Sequence, residues 1–319
     1  MANVSGTGYV WNLPQYLGPL FMVGQNQTPF LNVIGGLEGS RVRVVNSLEF
    51  PVSVSWSLES ASQPALTEED IESAPTATGY VRSQDTNTVQ YFHRAVKVTY
   101  PRISTMGWAK ADATTGLLGI NEEQAVQDEL DFQIQGNLLQ IAKDCEYTFI
   151  NGVYQKATAK NVAPKTRGIL AACSTNAIDA GGAALDKTLF EQLLRTMYEN
   201  GAPFNNPVVL CGAVQKQKLS SIYGYAPEDR NIGGVNIKQI ECDFGVLGVL
   251  LTPQMPSNAI AVVEIDIVRP VVCPVPGKGG LFYEPLSKSG AVESGQIFGQ
   301  LGLDYGEESW HGKLTNLAT

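Results

Sequence analysis

The sequence predicts an α+β protein in which helices are mixed with antiparallel strands, and three features carry that prediction. Apolar and polar residues alternate from Leu48 to Trp56, which is the period of a half-buried strand. A single apolar stripe at spacings of three and four residues predicts one long helix over about 121–150. Short β-branched segments separated by turn residues follow in the last third of the chain, with no βαβ repeat.

The composition excludes several classes of protein. With 319 residues and 44% hydrophobic residues the chain can fill a core, so general disorder is excluded. A net charge of −9 argues against a surface that neutralises nucleic-acid phosphates. The five cysteines form no C-x-x-C pair, and we expect them to be buried thiols in a reducing compartment. No signal peptide and no apolar run of about 20 residues is present, which predicts a soluble cytoplasmic chain without a membrane span.

Residues 1–40 are predicted to form an extended arm. Glu38 is their only charged side chain, and apolar anchors such as Trp11 and Phe30 are scattered among Gly, Pro, Asn and Gln without a helical or strand period. Disordered tails are usually charged and poor in Trp and Phe. The arm is therefore expected to pack on the body of its own chain or on a neighbouring copy, with Trp11 and Phe30 as contact residues.

A long hairpin is predicted next, over 41–103. Its first strand is the alternating segment around Pro51, which favours a sheet edge, and its return strand is placed at Val89 to Tyr100. The polar stretch between them is far longer than the 12–15 residues of ordinary loops, so we expect it to project and to meet a partner. The predicted contact residues of the hairpin are Glu68, Glu69, Asp70, Arg82 and Arg94.

The helix over 121–150 begins with the capping-box pattern Asn121-Glu122-Glu123-Gln124 and ends at Asn151-Gly152. The acids Asp128, Glu129 and Asp131 are expected on its exposed side. The stripe that defines its buried side consists of Val126, Leu130, Ile134, Leu138, Ile141, Cys145 and Phe149. Beyond it, the patterns predict helices over 186–200 and 213–223 and strands over 207–211, 235–241, 245–251, 259–268 and 296–305.

No catalytic, cofactor or metal site is predicted. The two histidines, His93 and His311, have no partner at metal-ligand spacing, and no G-x-S-x-G nucleophile motif occurs. His93 is expected at the surface, and the glycine-rich segment 277–280 as a tight turn. Glu264 and Asp266 could share one strand face as an acid–base pair, although surface decoration is the favoured interpretation.

The order of these elements resembles the major capsid proteins of tailed bacteriophages, whose fold is shared by encapsulin shells and herpesvirus capsid floors. The segments 143–147 (Lys-Asp-Cys-Glu-Tyr), 149–152 (Phe-Ile-Asn-Gly) and 167–170 (Arg-Gly-Ile-Leu) are the local matches. The resemblance implies a phage major-capsid fold with an N-terminal arm (1–40), an E-loop hairpin (41–103), a P-domain (104–185) that holds the spine helix at about 121–150, an A-domain (186–270) and C-terminal strands that return to the body (271–319).

The resemblance also implies a function. Pentamers and hexamers of this chain would form an icosahedral virion shell around double-stranded DNA, enclosed without sequence-specific binding, and the shell would assemble in the bacterial host cytoplasm. Scaffold, portal and optional decoration proteins would be its partners. Two alternatives stay open at this point: an encapsulin-type compartment that encloses a cargo enzyme, and a soluble hydrolase or binding protein with an unrecognised site.

Two departures from the family limit what is carried over. Some members cross-link subunits through a hairpin lysine, but no lysine occurs between Ser57 and Gln90, Lys97 lies near the hairpin base, and Arg82 cannot replace a lysine chemically. A non-covalent shell is therefore expected. Because the hairpin starts near Arg41, we also expect the scaffold to be a separate protein or to be removed before the first residue. The acidic residues 68–70 are expected to face basic residues of a neighbouring subunit.

Overall fold

The computed structural model describes residues 27–37, 39–74, 77–106, 129–224 and 239–319. Trp11 and the beginning of the predicted long helix, including its capping box, lie outside these ranges. The helices are α1 Pro29–Val33, α2 Glu68–Ile71, α3 Tyr100–Met106, α4 Glu129–Asn151, α5 Ile169–Ala172, α6 Lys187–Glu199 and α7 Ala213–Tyr223. The strands are β1 Arg43–Val44, β2 Glu49–Ser55, β3 Ser83–Thr88, β4 Gln90–Thr99, β5 Ala177–Asp179, β6 Pro207–Cys211, β7 Gln239–Cys242, β8 Gly245–Leu251, β9 Ile260–Glu264, β10 Arg269–Val272, β11 Leu281–Pro285, β12 Val292–Asp304 and β13 Gly312–Thr315.

A five-stranded sheet packs against the long helix α4, and together they form the first two layers of the fold. Strand β12 is its centre, with β4 antiparallel along one edge and β11 and β10 antiparallel along the other, and β1 extends the sheet beside β10. Alternate residues of β12, including Ile297 and Leu301, face α4, whose Ile141, Cys145 and Phe149 are fully buried in the same cluster. The apolar stripe predicted for the helix therefore packs across a sheet over its C-terminal half.

The pairing of the hairpin differs from the prediction. Strand β2 pairs with β3 in a separate two-stranded ribbon, whereas the segment predicted as the return strand, β4, pairs with β12 over ten residues. The polar sequence of β3 suits a ribbon open to solvent, but β4 carries Phe92, Val96 and Val98 on one side and must bury them against α4. The register of the ribbon shifts between Pro51 and Ser53, and irregular pairing is common beside a proline, which has no N–H to donate.

The second sheet has six strands in the order β5-β13-β9-β6-β8-β7. Helix α6 starts at the N-cap Asp186, whose carboxylate accepts from the Leu189 N–H, and buries its apolar side on this sheet. Within the described residues, three strand pairs are parallel (β1 with β10, β5 with β13, β6 with β8), whereas antiparallel strands were expected. The β6–β8 pair is parallel because α7 carries the chain back between them.

Two predictions about acidic residues are wrong. Glu129 is not on an exposed side: its side chain is 1% exposed and lies 2.6 Å from the partly exposed Arg102 guanidinium, so this ion pair joins α4 to α3. Glu264 and Asp266 do not share a strand face, because β9 ends at Glu264 and Asp266 lies in the following 3₁₀ turn, 265–267. Glu264 is buried and accepts a 2.6 Å hydrogen bond from the Asn206 N–H, whereas Asp266 is exposed. The pair therefore has no acid–base geometry.

Candidate subunit-contact surfaces

The ribbon β2–β3 ends in a long tip, residues 56–82, which carries large apolar side chains in the open. Ring centroids of Trp56 and Tyr80 lie 5.5 Å apart, edge to face, which joins the two sides of the tip near its start. Val81 is 85% exposed. We define the tip surface as the six exposed apolar residues Trp56, Leu58, Leu66, Ile71, Tyr80 and Val81. Several large apolar side chains left exposed on one projecting segment are typical of an interaction surface.

The predicted acidic contact residues lie in the middle of the tip, on the short helix α2. Asp70 closes a capping box: its carboxylate accepts from the Thr67 N–H at 2.9 Å, and the Thr67 hydroxyl accepts from the Asp70 N–H. The Thr67 N–H and the Thr67 hydroxyl both donate to the Asp70 carboxylate, and these two hydrogen bonds lower the pKa of Asp70 from its ordinary value. Glu68 and Glu69 are exposed and have no partner among the described residues. Asp70 therefore holds the tip in shape, and Glu68 and Glu69 are available for an external contact.

The other predicted contact residues fall in different environments. Arg82 is exposed at the end of the tip. Arg94 lies 2.7 Å from Asp144, with both side chains 38% exposed, so it connects β4 to α4 within the chain. Phe30 is fully buried in the main core, so it packs on the chain's own body, which is one of the two alternatives predicted for the arm. Its ring is the apolar anchor by which α1 packs on the chain's own body.

A polar cluster fixes the base of the ribbon to the body. The Arg167 guanidinium donates to both Asp85 oxygens on β3, at 3.2 and 3.0 Å, and to the Tyr305 hydroxyl at 2.9 Å. Tyr305 in turn donates to Asp85 at 2.5 Å, and burial followed by this bond raises the pKa of the Tyr305 hydroxyl. The Arg167 guanidinium also lies over the Tyr154 ring, 4.9 Å from its centroid. We call Asp85, Arg167 and Tyr305 the hairpin clasp.

Asn87 completes the attachment next to the clasp. Its side-chain amide donates to the carbonyl oxygens of Leu303 (2.7 Å) and Arg167 (3.1 Å), and its oxygen accepts from the N–H groups of Arg167 (2.8 Å) and Thr88 (2.9 Å). The residue is fully buried, and four hydrogen bonds use the full capacity of the amide. The direction in which the ribbon leaves the body is therefore set by a satisfied polar network.

The sequence segments that carry the family resemblance meet at the end of α4. The Gly168 N–H donates to the Gly152 carbonyl at 2.9 Å, and the Gly152 N–H donates to the Thr148 carbonyl at 2.7 Å. A Cβ on Gly168 would lie 2.7 Å from the Gly152 nitrogen and from the Thr148 oxygen, both of them backbone atoms. Glycine is needed at position 168 because the two backbone segments approach closely there. This contact places Arg167, the preceding residue, at the clasp.

Glu146 on α4 holds the start of α1. Its two carboxylate oxygens accept from the N–H groups of Phe30 (3.0 Å) and Leu31 (2.6 Å), and the Thr252 hydroxyl donates to it at 2.9 Å. The side chain is fully buried, and burial raises its pKa although the three hydrogen bonds oppose that change. A carboxylate at the first N–H groups of a helix is a stabilising arrangement. The last part of the arm is thus fixed to its own body.

The open apolar tip is the feature that sequence reasoning missed. The hairpin was predicted to contact a partner through its charges, whereas the structure exposes six large apolar side chains on the same segment. The available signal was the continued alternation of Trp56 and Leu58 beyond the strand, together with apolar residues isolated in a polar stretch. Among the described residues, these side chains remain exposed.

The described residues show no arrangement for catalysis. Among them, no group of three or more His, Cys, Asp or Glu side chains could hold a metal ion. The buried imidazole of His311 serves the backbone: Nδ1 accepts from the Glu264 N–H, and Nε2 donates to the Tyr305 carbonyl. His93 is exposed, as predicted. None of the helices in the described ranges is both long enough and apolar enough to cross a bilayer.

Comparison with known proteins assigns the family. A family model described as SU10 major capsid protein matches residues 3–318. The chain belongs to this family. It is a structural protein of a phage capsid shell and not an enzyme, and its place is the virion. The comparison with curated proteins finds no significant match.

Solved structures with the same fold are remote in sequence. A cyanophage A-1(L) capsid protein is 13% identical with a TM-score of 0.66, and the match covers 100% of this chain and 98% of the other. A capsid protein of a native GTA particle is 14% identical with a TM-score of 0.59, covering 96% and 95%. The SrpI encapsulin of Synechococcus elongatus is 12% identical with a TM-score of 0.52, covering 87% and 85%. These likenesses confirm the phage major-capsid fold and the α+β class.

Proposed function

We propose that pentamers and hexamers of this chain close an icosahedral shell around double-stranded DNA, with each hairpin laid over an adjacent subunit. The single observation that carries this proposal is the tip surface: six large apolar side chains are exposed on a segment whose base is rigidly clasped. A rigid ribbon with an uncovered apolar end is suited to a neighbouring molecule. Repeating one such contact around a ring gives a closed, symmetric assembly.

The division of the chain into arm, hairpin, P-domain, A-domain and returning strands is part of the same proposal. The five-stranded sheet with α4 would be the P-domain, and the six-stranded sheet with α6 and α7 the A-domain. Scaffold and portal proteins, and decoration proteins where present, would be further partners, and the shell would assemble in the host cytoplasm. The acidic charge of the chain favours an inner wall that does not bind the DNA it encloses.

The assembly is tested by negative-stain electron microscopy and light scattering of the nuclease-treated full-length chain, alone and with its scaffold. We expect closed shells, or rings of five or six subunits. The tip variant Leu66→Ser/Ile71→Ser should lower the yield of particles, whereas Val153→Ser, equally exposed but on the body, should not. A chain that stays monomeric with its scaffold and at high concentration would contradict the proposal.

The contents of the particles distinguish a phage head from an encapsulin-type compartment. Particles from infected cells should contain nuclease-protected double-stranded DNA of one length class. Particles that instead retain one stoichiometric enzyme and no DNA would support the compartment. The family assignment favours the first result.

We also propose that subunits in the mature shell are joined without covalent bonds, because the tip carries no lysine. Mature particles boiled in denaturant should therefore migrate on a gel as a single 34.3 kDa band. A ladder of linked subunits that resists boiling would refute this part of the proposal.

A further inference from the structure

An open pocket of about 450 Å³ lies where the chain passes from β9 to β10, and arginines dominate its lining. Arg41 and Arg43 come from the segment around β1, and Arg269 begins β10, so three of the nine arginines of the chain meet here. We call these three residues the arginine trio. The lining also contains the acid Asp266. A pocket rich in positive charge is an exception in a chain whose net charge is −9.

The pairing of β1 with β10 places two of these charges side by side. The strands are parallel, and Arg43 lies opposite Val271. Counting back two residues on each segment puts Arg41, just before β1, level with Arg269, and positions two apart along a strand share a face. Like charges at opposed positions of neighbouring strands are destabilising. A bound anion would remove that repulsion.

The arginine trio has N–H groups available for a ligand. Arg41 donates through Nη2 to two backbone carbonyls of segment 265–268, and Arg43 donates through Nη1 to Asp304 and to a carbonyl of β2. Their remaining guanidinium N–H groups have no partner among the described residues, and none of these groups is buried. Arg269 is exposed and makes no side-chain hydrogen bond or ion pair with a described residue. Two guanidinium groups are thus held in place with donors to spare.

The neighbouring acids do not cancel the charge of the trio. Asp304 lies 2.7 Å from Arg43, and Asp266 accepts a hydrogen bond from the Asn206 side chain at 3.1 Å. The trio and these two acids together carry a charge of +1. Glu264 accepts from the Asn206 N–H and is not among the residues that line the pocket. A positive pocket with several unpartnered guanidinium donors is suited to a compact anion that has several oxygen atoms.

We propose that the arginine trio binds a phosphate group. Guanidinium groups pair with phosphate oxygens through charge-assisted, often bidentate hydrogen bonds, which are stronger than neutral ones. The bound group also neutralises the facing charges of Arg41 and Arg269. Two sources carry the same chemistry: a small phosphate ion or ester, and the phosphodiester groups of enclosed DNA. The pocket is formed within one chain, so this inference goes beyond the proposed shell and does not depend on it.

Titration of the unassembled full-length chain tests the site. In isothermal titration calorimetry with inorganic phosphate, at an ionic strength kept constant with chloride, we expect saturable binding. Arg269→Gln should weaken this binding about tenfold or more, because it removes a guanidinium from the pocket. Arg195→Gln removes an exposed arginine from α6 and should leave the affinity within about twofold. A wild-type chain without saturable binding, or equal effects of the two substitutions, would overturn the inference.

The acid in the lining provides a test of opposite sign. Asp266→Asn removes a negative charge from the pocket and leaves an oxygen that can still accept from the Asn206 side chain. We expect the affinity for phosphate to rise about threefold or more, because a like charge no longer opposes the anion. An unchanged or lower affinity would contradict a phosphate site at this position.

Thermal unfolding separates a binding role of Arg269 from a structural one. In chloride, Arg269→Gln should melt no lower than the wild type, because the substitution breaks no described contact and removes a repulsion. In phosphate at the same ionic strength, the wild type and Arg195→Gln should melt higher than in chloride, whereas Arg269→Gln should gain little. An equal loss of stability of Arg269→Gln in both salts would assign this arginine a structural role and overturn the inference.

Two further titrants identify the source of the phosphate group. Pyrophosphate and a short DNA duplex are titrated into the wild type and into Arg269→Gln. Duplex binding that Arg269→Gln weakens supports the site with DNA as the source, and binding of phosphate and pyrophosphate without the duplex supports it with a small anion as the source. A chain that assembles into shells but binds none of these probes would overturn this inference alone and leave the proposed function standing.

Discussion

Protonation of His311 should destabilise the folded subunit below neutral pH. The imidazole is fully buried and makes two hydrogen bonds of opposite kind: Nδ1 accepts from the Glu264 N–H at 3.1 Å, and Nε2 donates to the Tyr305 carbonyl at 2.6 Å. A proton on Nδ1 would place two donors face to face. Burial lowers the pKa of His311 from 6.5 to about 4, although the Tyr305 bond and the charge of Glu308 act in the opposite direction.

The magnitude follows from the difference between the pKa values of the folded and unfolded states. Above pH 6.5 the group is neutral in both states and contributes no pH dependence. As the pH falls, the unfolded chain binds a proton that the folded chain does not, so stability is lost. With a pKa of 6.5 in the unfolded chain and about 4 in the folded chain, the loss is about 0.8 kcal/mol at pH 6, about 2 kcal/mol at pH 5 and about 3 kcal/mol at pH 4.

The chain offers a simple assay because it contains only two histidines. In an NMR titration of unassembled subunits, the exposed His93 serves as the internal reference, and His93→Gln assigns the signals. We expect the His311 signal to stay in its neutral position down to about pH 5. A His311 signal that titrates near pH 6.5 in the folded protein would refute the reasoning.

Denaturant unfolding measures the same effect of His311 as a change in the free energy of unfolding. Burial also raises the pKa values of Glu146 and Glu264, and those shifts add stability as the pH falls, so the wild-type curve alone mixes opposite contributions. The difference in unfolding free energy between wild type and His311→Gln isolates the histidine. It should shrink by about 2 kcal/mol between pH 7 and pH 5. Parallel pH curves for the two proteins would contradict the assignment.

Three further substitutions test the intrachain contacts. Gly168→Ala should destabilise the subunit by about 1–3 kcal/mol in thermal unfolding, because its Cβ would meet backbone atoms at 2.7 Å. The control Gly136→Ala lies in open space on α4 and should be neutral or stabilising. Equal effects of the two substitutions would refute the close contact. Arg167→Ala should lose about 1–3 kcal/mol and speed amide exchange in β3, because the contacts of the guanidinium to Asp85 and Tyr305 are removed. Arg82→Ala, at an exposed site, is the matched control, and unchanged exchange in Arg167→Ala would contradict the role of the clasp. Glu146→Gln should lose about 1.5–3 kcal/mol and expose α1 to protease, because its NH₂ group would face a backbone N–H. The exposed Glu199→Gln should change neither property, and unchanged protease resistance of α1 in Glu146→Gln would contradict the anchor.

The local sequence pattern predicted most helices and strands but not which strands pair with each other. The segments around 187–199, 207–211, 213–223 and 245–251 are helices and strands as expected, since each carries its own period and turn signals. The partner of β2 could not be predicted in this way. Both 83–88 and 90–99 can form strands, and the choice depends on α4, which covers one of them and lies about fifty residues further along the chain.

Charge and burial were the weakest sequence signals at the candidate contact surface. Glu129, Glu146 and His311 are polar residues in the core, and only three-dimensional contacts supply the hydrogen bonds that make their burial tolerable. In the hairpin the prediction of burial fails in the opposite direction, because apolar side chains are exposed. Trp56 and Leu66 are the residue types expected inside, and the structure leaves them outside. Sequence hydrophobicity cannot distinguish a residue buried in the core of its own chain from one that is buried only by contact with a second molecule.

The body and the tip should be separable, because the described contacts of the tip join Trp56 to Tyr80 and Thr67 to Asp70, within the tip itself. The buried carboxylates Glu146 and Glu264 are hydrogen-bonded inside the body. Ser55 and Ser83 are cross-strand partners with hydroxyls 2.8 Å apart, so a two-residue Asn-Gly turn can replace 56–82 and close the ribbon. We expect this deletion to unfold cooperatively in urea within about 1 kcal/mol of the full chain. It should form no shells under conditions in which the full chain assembles. Shells formed by the deletion variant would show that the hairpin tip is dispensable and would remove the physical basis of the proposed assembly.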